Sequence, residues 1–192
     1  SGLVQAGGGW NAATPFPFIQ GTDCCGEVVE VGAGGNKQLM GKCVLVRACM
    51  CPNGFDSMKN IWMGSDFDGA FAQSVKVPQT EVFPVECDWS ATELATIPCA
   101  YGTAENMVQR AEIQEGERVL ITGASGGVGS AALQLVKLRG AEVIALVSST
   151  KQAQILELGA KEVVERNRNL IGAIGEESID VVIDLSLIHI SE

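Results

Sequence analysis

Hydrophobic positions in the first half of the chain alternate with polar ones over short runs, as they do in half-buried β-strands. These runs are rich in Val and bounded by Gly, Pro or Asn, and they predict strands at residues 26–31, 42–48 and 71–77. A capping-box pattern follows at Ser90-Ala-Thr-Glu93 and predicts the start of a helix. We expect that helix to end near Pro98 and a second helix to carry residues 103–110.

Beyond residue 110 the pattern changes to buried strands that alternate with amphipathic helices. Residues 117–122 (ERVLIT) form an apolar run, and a Gly-rich loop follows it. Apolar residues then recur along one face of a helix that Gly140 should end: Val128, Ala131, Ala132, Leu135 and Val136. The same alternation predicts a strand at 142–147, a helix at 151–158 ended by Gly159, and strands at 161–165 and 180–185. This order is typical of an α/β fold with right-handed crossovers and a parallel sheet.

The composition narrows the class of protein. With 46% hydrophobic residues over 192 positions, the chain can bury the core of one domain or two small ones. The net charge of −10 disfavours nucleic acid and anionic lipid as partners. No apolar run approaches the roughly 18 residues of a membrane span, and no signal peptide is recognisable, so we expect a cytoplasmic protein. The seven cysteines predict reduced thiols packed as small hydrophobes.

The Gly-rich loop has the spacing A-x-G-x-x-G at Ala124, Gly126 and Gly129. In dinucleotide-binding loops the first position needs a small residue for a tight turn, and the second lets backbone amides approach the pyrophosphate. The third lets the helix pack on the strand, and the helix N-terminus favours negative phosphates. An ordinary strand-to-helix turn is the alternative, but the flanking elements favour a dinucleotide site. Its expected residues are Ala124, Ser125, Gly126, Gly127 and Val128.

The choice between NAD and NADP depends on the end of the next predicted strand, where NAD-binding domains carry a carboxylate. Here that position is Ser148, followed by Ser149, Thr150 and Lys151. Hydroxyls and an ammonium group donate to the 2′-phosphate of NADP, so we expect NADP, with NAD less favoured. Ser149 or Thr150 could instead cap a helix that begins at Lys151, and both roles can coexist.

Four segments together resemble the medium-chain dehydrogenase/reductase superfamily, nearest to its quinone oxidoreductases, enoyl reductases and alcohol-dehydrogenase-like members. They are GTDCCGEVVEVG at 21–32, GKCV at 41–44, GAFAQ at 69–73 and the loop GASGGVG at 123–129. The resemblance implies a GroES-like catalytic domain over residues 1–97 and a Rossmann domain over residues 98–185. It also implies a chain truncated at both ends, with an incomplete Rossmann sheet, and a non-native tail at residues 186–192.

Zinc-dependent members of that superfamily hold their catalytic metal with Cys, His and Cys or Asp. The histidine lies in a G-H-E sequence, and Thr22 stands in its place here, although Cys99 matches the third ligand. A threonine hydroxyl is a poor zinc ligand. The structural zinc of the superfamily needs four closely spaced cysteines, and only Cys49 and Cys51 occur in that region. We therefore expect neither zinc and assign no metal ligand.

The resemblance also places Thr103 near the nicotinamide. Tyr101 and Cys99 either line the same region or serve only in packing, and we assign no catalytic residue. Cys24 and Cys25 are interpreted as buried strand residues rather than redox groups.

Without zinc, a conjugated acceptor is the favoured substrate, because the enolate formed by hydride addition spreads its own charge. The resemblance thus implies an NADPH-dependent oxidoreductase that reduces a quinone, an enone or another activated double bond. The substrate would be a small molecule, and we expect the full-length protein to be a homo-oligomer. We expect the fragment alone to be inactive. A zinc-type alcohol dehydrogenase and a non-catalytic NADP-binding protein remain the alternatives.

Overall fold

The computed structural model describes residues 16–51, 54 and 60–185. The contacts along the backbone divide the chain into two compact units, residues 1–99 and 100–192. The expected tail at residues 186–192, which includes His189, lies outside the described residues.

The first unit contains two small antiparallel sheets. Its strands are β1 (Cys25–Glu27), β2 (Cys43–Val46), β3 (Cys49–Met50), β4 (Ile61–Trp62) and β5 (Val82–Pro84). One sheet has the order β1-β2-β5, and β3 pairs with β4 in the other. Short 3₁₀ helices cover residues 37–39 and 79–81. One buried hydrophobic cluster of this unit contains Val46, Ala48, Met50 and Met63.

Two of the strands expected here differ from the structure. Strand β1 spans only Cys25–Glu27, and residues 71–77 form no strand. The segment 71–77 makes a backbone hydrogen bond at its first residue, where the amide of Phe71 donates to the carbonyl of Gln20 at 2.8 Å. A Cβ added to Gly69 would lie 2.3 Å from the carbonyl oxygen of Gly21, so the two backbones cross at a distance that only glycine permits.

The capping box is confirmed, and the expected position of the helix boundary is wrong. Helix α1 (Ala91–Leu94) begins after Ser90, whose hydroxyl accepts from the amide of Glu93 while the Glu93 side chain accepts from Ser90. Helix α2 spans Ile97–Arg110, so Pro98 lies at its second residue and does not end the preceding helix. Proline is tolerated in a first turn because its missing N–H would have no partner there.

The second unit is a parallel α/β layer, as the alternation predicted. Its elements are β6 (Arg118–Thr122), α3 (Gly127–Leu138), β7 (Glu142–Val147), α4 (Gln152–Glu157), β8 (Glu162–Glu165), α5 (Leu170–Ile174) and β9 (Val181–Ile183). The sheet has the order β8-β7-β6-β9 with all neighbours parallel. Helix α5 was not predicted; it begins after Asn169, whose side chain accepts from the amide of Gly172. The expected α/β class with a parallel sheet is thereby confirmed.

Helix α3 supplies much of the core of this unit. Ala131, Ala132 and Val136 are almost fully buried, which confirms the apolar face, and the other two residues of that face are half-buried. Leu133 is also fully buried, although it lies off the predicted face. The helix is therefore covered over a wider arc than the sequence pattern indicated.

We expect Gly129→Ala to destabilise the second unit. The added Cβ would lie 2.3 Å from the carbonyl oxygen of Gly123 and 2.7 Å from the Cα of Ala124, and overpacking of this kind costs about 1–3 kcal/mol. The matched control is Gly127→Ala in the same helix, where the nearest atom is 3.8 Å away and alanine favours the helix. Urea unfolding of both variants checks this, and equal midpoints would contradict it.

Candidate functional site

The order in which the chain adds strands to the parallel sheet reverses at β6. Strands β6, β7 and β8 follow one another toward one edge, and the chain then returns to place β9 on the other side of β6. In open α/β sheets, ligands bind at the carboxyl ends of the strands where the order reverses. Thr122, the last residue of β6, is level with Leu146 of β7, so the segments after these two strands leave from the same edge of the sheet.

The loop after β6 forms a tight turn that ends at the first turn of α3. Gly123 has φ of +61°, and its carbonyl accepts from the amide of Gly126 at 3.0 Å. Gly126 precedes α3 and has no side chain to accept from the first amides of that helix. A Cβ added there would meet its nearest neighbour, the oxygen of Gly123, at 3.4 Å. The start of α3 is therefore open to an anion from outside the loop.

The five residues predicted for the loop differ in exposure. Ser125, Gly126 and Gly127 are exposed, Val128 is half-buried, and Ala124 is fully buried. Ala124 therefore contributes packing and its backbone rather than an accessible side chain.

Gly123 is a functional residue of the loop to which the sequence pattern assigned no role. Its left-handed conformation makes the turn possible, and the signal for it was a glycine immediately after a predicted buried strand.

The residues after β7 are exposed and do not cap helix α4. Ser149 and Thr150 lie inside a 3₁₀ turn that spans Ser149–Lys151, and Ser148, which precedes it, makes no capping bond. Lys151 precedes α4 and makes no side-chain capping bond either. The hydroxyl oxygens of Ser148 and Thr150 are 3.2 Å apart. The capping interpretation of Ser149 and Thr150 is therefore wrong.

The first turns of α2 lie beside the loop. A Cβ added to Gly127 would be 3.8 Å from the Cβ of Ala100. Thr103 is exposed and stands three residues after Ala100, on the same face of α2. Tyr101 is half-buried against the core, and its hydroxyl accepts from Nε2 of Gln134 at 2.9 Å, which favours the packing interpretation of this residue.

In the first unit, Asp23 holds the start of α2. Its Oδ1 accepts from the amide of Cys99 at 2.7 Å. Burial raises the pKa of the Asp23 carboxyl, and the bond from Cys99 opposes that rise. The neighbouring Thr22 is half-buried, and Cys99 is exposed. Cys51, in the region of the structural zinc of related proteins, donates to the side chain of Asn60.

Within the described ranges, no three His, Cys, Asp or Glu side chains are grouped so that they could hold a metal ion. Across the same part of the chain, no helix is both long and apolar enough to cross a membrane.

Asp184, which follows β9, is a second residue that the sequence pattern did not single out. Its carboxylate accepts from the hydroxyl of Thr122, and the same hydroxyl oxygen accepts from the amide of Leu185 at 2.8 Å. A carboxylate thus lies at the reversal point, next to the end of β6. The only signal for it in the sequence was an acidic residue directly after an apolar run.

Two family models match the chain. The model described as "Alcohol dehydrogenase GroES-like domain" matches residues 3–87, and the model described as "Zinc-binding dehydrogenase" matches residues 127–190.

Among curated proteins, the acryloyl-coenzyme A reductase of Metallosphaera sedula is 33% identical over 88% of this chain and 53% of its own length. The quinone oxidoreductase-like protein 2 homolog of Nematostella vectensis is 30% identical over 88% of this chain and 42% of its own length. The chain therefore spans about half the length of these relatives. Among solved structures, the cobalt- and zinc-bound thermostable alcohol dehydrogenase from Pyrobaculum aerophilum has a TM-score of 0.78 at 30% identity, covering 92% of this chain and 56% of the other.

Proposed function

Because the chain belongs to the medium-chain dehydrogenase/reductase superfamily, we propose that it binds NADP and forms part of an oxidoreductase that reduces an activated double bond. This activity is proposed for the whole protein, because the chain spans about half the length of its curated relatives. We assign the GroES-like catalytic domain to residues 1–97 and the Rossmann domain to residues 98–185. The whole protein is proposed to be a cytoplasmic homo-oligomer.

The observation that carries the proposal is the open loop at the reversal point of the parallel sheet. The pyrophosphate of a dinucleotide would contact the amides at the start of α3, where Gly126 leaves room for it. Ser125 and Gly127 are exposed on either side of Gly126. Thr103, on the face of α2 that carries Ala100, is proposed to contact the nicotinamide. The cofactor would supply the hydride, and these residues would bind and orient the cofactor.

The residues after β7 support NADP as the cofactor. Ser148, Ser149 and Lys151 are exposed at the same sheet edge as the loop, and they present two hydroxyls and an ammonium group. None of these groups would repel a 2′-phosphate, and each can donate to it. With the capping role of Ser149 removed, donation to the cofactor is the function proposed for it.

The chemistry of the first unit supports a conjugated acceptor. Thr22 cannot replace an imidazole as a zinc ligand, and Asp23 already accepts from the amide of Cys99. An enone or a quinone needs little stabilisation of its oxygen, since the enolate delocalises the charge. The Metallosphaera sedula relative is named as a reductase of acryloyl-coenzyme A, whose double bond is activated in this way.

A zinc-type alcohol dehydrogenase is the second candidate. It is favoured by the metal-bound Pyrobaculum aerophilum structure and by the description of the second family model. A non-catalytic NADP-binding protein would use the same loop without turnover. Consumption of NADPH in the presence of an enone or a quinone separates the proposed reductase from both.

We expect Gly126→Val to weaken NADPH binding at least about a hundredfold. A branched side chain would occupy the space of the pyrophosphate and remove charge-assisted hydrogen bonds, each worth about 1.5–3 kcal/mol. Gly126→Ala is the matched control, since its Cβ fits the empty loop at 3.4 Å and intrudes less. Fluorescence titration gives the affinities, and circular dichroism shows that the fold is intact. Unchanged affinity in a folded valine variant would disprove the role of the loop.

For cofactor preference, the wild type should bind NADPH at least about tenfold more tightly than NADH, as expected from one charge-assisted hydrogen bond. Ser148→Asp should reverse this order, because a carboxylate accepts from ribose hydroxyls and repels the 2′-phosphate. Raised salt should reduce the NADPH advantage, since Lys151 is exposed and screened. Thr150→Asp is a matched control inside the 3₁₀ turn. Equal affinities of the wild type for the two cofactors would contradict the assignment of Ser148.

Metal content distinguishes the two catalytic candidates. Because Thr22 replaces the ligand histidine, we expect the purified full-length protein to hold no stoichiometric zinc, and chelation to leave its NADPH-dependent reduction of an enone unchanged. Elemental analysis by mass spectrometry measures the first quantity and a spectrophotometric assay the second. About one zinc per chain, with activity lost on chelation, would favour the alcohol dehydrogenase.

A further inference from the structure

Two cysteine thiols are in contact between neighbouring strands of the first unit. The Sγ atoms of Cys25 in β1 and Cys43 in β2 are 3.5 Å apart, and both residues are free and half-buried. We propose that Cys25 and Cys43 form a reversible intramolecular disulfide when the protein meets a low-molecular-weight disulfide. Such a bond is a modification site separate from the proposed cofactor site, and it does not depend on the proposed function.

The register of the strands places the two thiols on one face of the sheet. Cys25 is opposite Leu45, and Cys43 is opposite Glu27, so the cysteines are diagonal neighbours across an antiparallel pair. A disulfide has a sulfur–sulfur distance of about 2.05 Å, so the sulfurs must approach by about 1.5 Å. In the described part of the sheet, β1 is a three-residue edge strand that pairs only with β2, so a small shift disturbs one ladder.

The neighbouring cysteines are placed differently. Cys24 precedes β1 and packs against the core cluster around Met63. Cys51 donates to Asn60. Cys87 is exposed and close enough to Cys25 for its charge to raise the pKa of that thiol. The sulfur atoms of Cys25 and Cys43, by contrast, lie in contact with each other.

The chemistry is a pair of thiol–disulfide exchanges. One cysteine loses its proton to water and attacks a sulfur of the small disulfide, which forms a mixed disulfide and releases one small thiol. The second cysteine then attacks the protein sulfur of the mixed disulfide and releases the second small thiol. Two protein thiols are oxidised to one disulfide, and one small disulfide is reduced to two thiols.

The surroundings of Cys25 determine how fast this reaction proceeds. Burial and the hydrogen bond with Cys43 raise the pKa of the Cys25 thiol to about 11. Little thiolate is present at neutral pH, so the exchange should be slow and its rate should rise with pH. Thiols of high pKa are also poor leaving groups, so the disulfide should resist reduction once it has formed.

The test uses the purified chain with oxidised glutathione as the probe, at pH 7 and pH 9. We expect the number of titratable thiols in denaturant to fall by two from seven, with a peptide that links Cys25 to Cys43 found by mass spectrometry. Formation should be faster at pH 9, and dithiothreitol should restore all seven thiols. Glutathione left attached to Cys25 or Cys43, or a link from either residue to another cysteine, would overturn the proposal.

Three variants distinguish the pair from its neighbours. Cys43→Ser should prevent the loss of two thiols and leave Cys25 either free or bound to glutathione. Cys24→Ser is the matched control adjacent in sequence, and Cys87→Ser tests the exposed thiol; both should still form the Cys25–Cys43 link. Loss of the link in Cys24→Ser, with circular dichroism unchanged, would contradict the proposal. If a variant fails to fold, the peptide map of the wild type decides alone.

Discussion

The start of α3 can lie against the end of β6 only because residue 129 is a glycine. Any Cβ at this position would meet the carbonyl oxygen of Gly123 at 2.3 Å. This close contact between α3 and Gly123 places the open first turn of the helix at the edge of the sheet where β6, β7 and β9 end. The loop, the residues after β7 and Asp184 share that edge of the sheet because the strands that they follow are parallel. The proposed cofactor site therefore depends on a packing contact that itself binds no ligand.

A similar close approach organises the first unit. Gly21 and Gly69 let two backbones cross where the sequence pattern predicted a further strand, and the crossing is held by the bond from Phe71 to Gln20. Nearby, the Asp23 carboxylate accepts from an amide in the first turn of α2, and this bond opposes the rise in pKa that burial causes. The acidic position of the superfamily motif thus supports a helix start in this chain.

The proposed chemistry depends on residue types that differ from those of related enzymes. At Thr22 the superfamily's zinc-binding members carry an imidazole, and at Ser148 its NAD-binding members carry a carboxylate. Each change can be read from the sequence, because ligand chemistry and charge belong to the residue itself. The structure then removed the competing role of the two residues after Ser148, since Ser149 and Thr150 lie inside a turn and do not cap α4.

The sequence by itself determined the features that depend on local periodicity and residue chemistry. These include the strand and helix alternation after residue 110, the capping box at Ser90 and the A-x-G-x-x-G spacing of the Gly-rich loop. Only the tertiary structure decided that Pro98 lies in the first turn of a helix, that Gly123 turns the loop, and that Asp184 lies beside Thr122, 62 residues earlier in the chain. The contact between Cys25 and Cys43 also depends on strand register. Such placements follow from contacts distant in sequence, which no local pattern records.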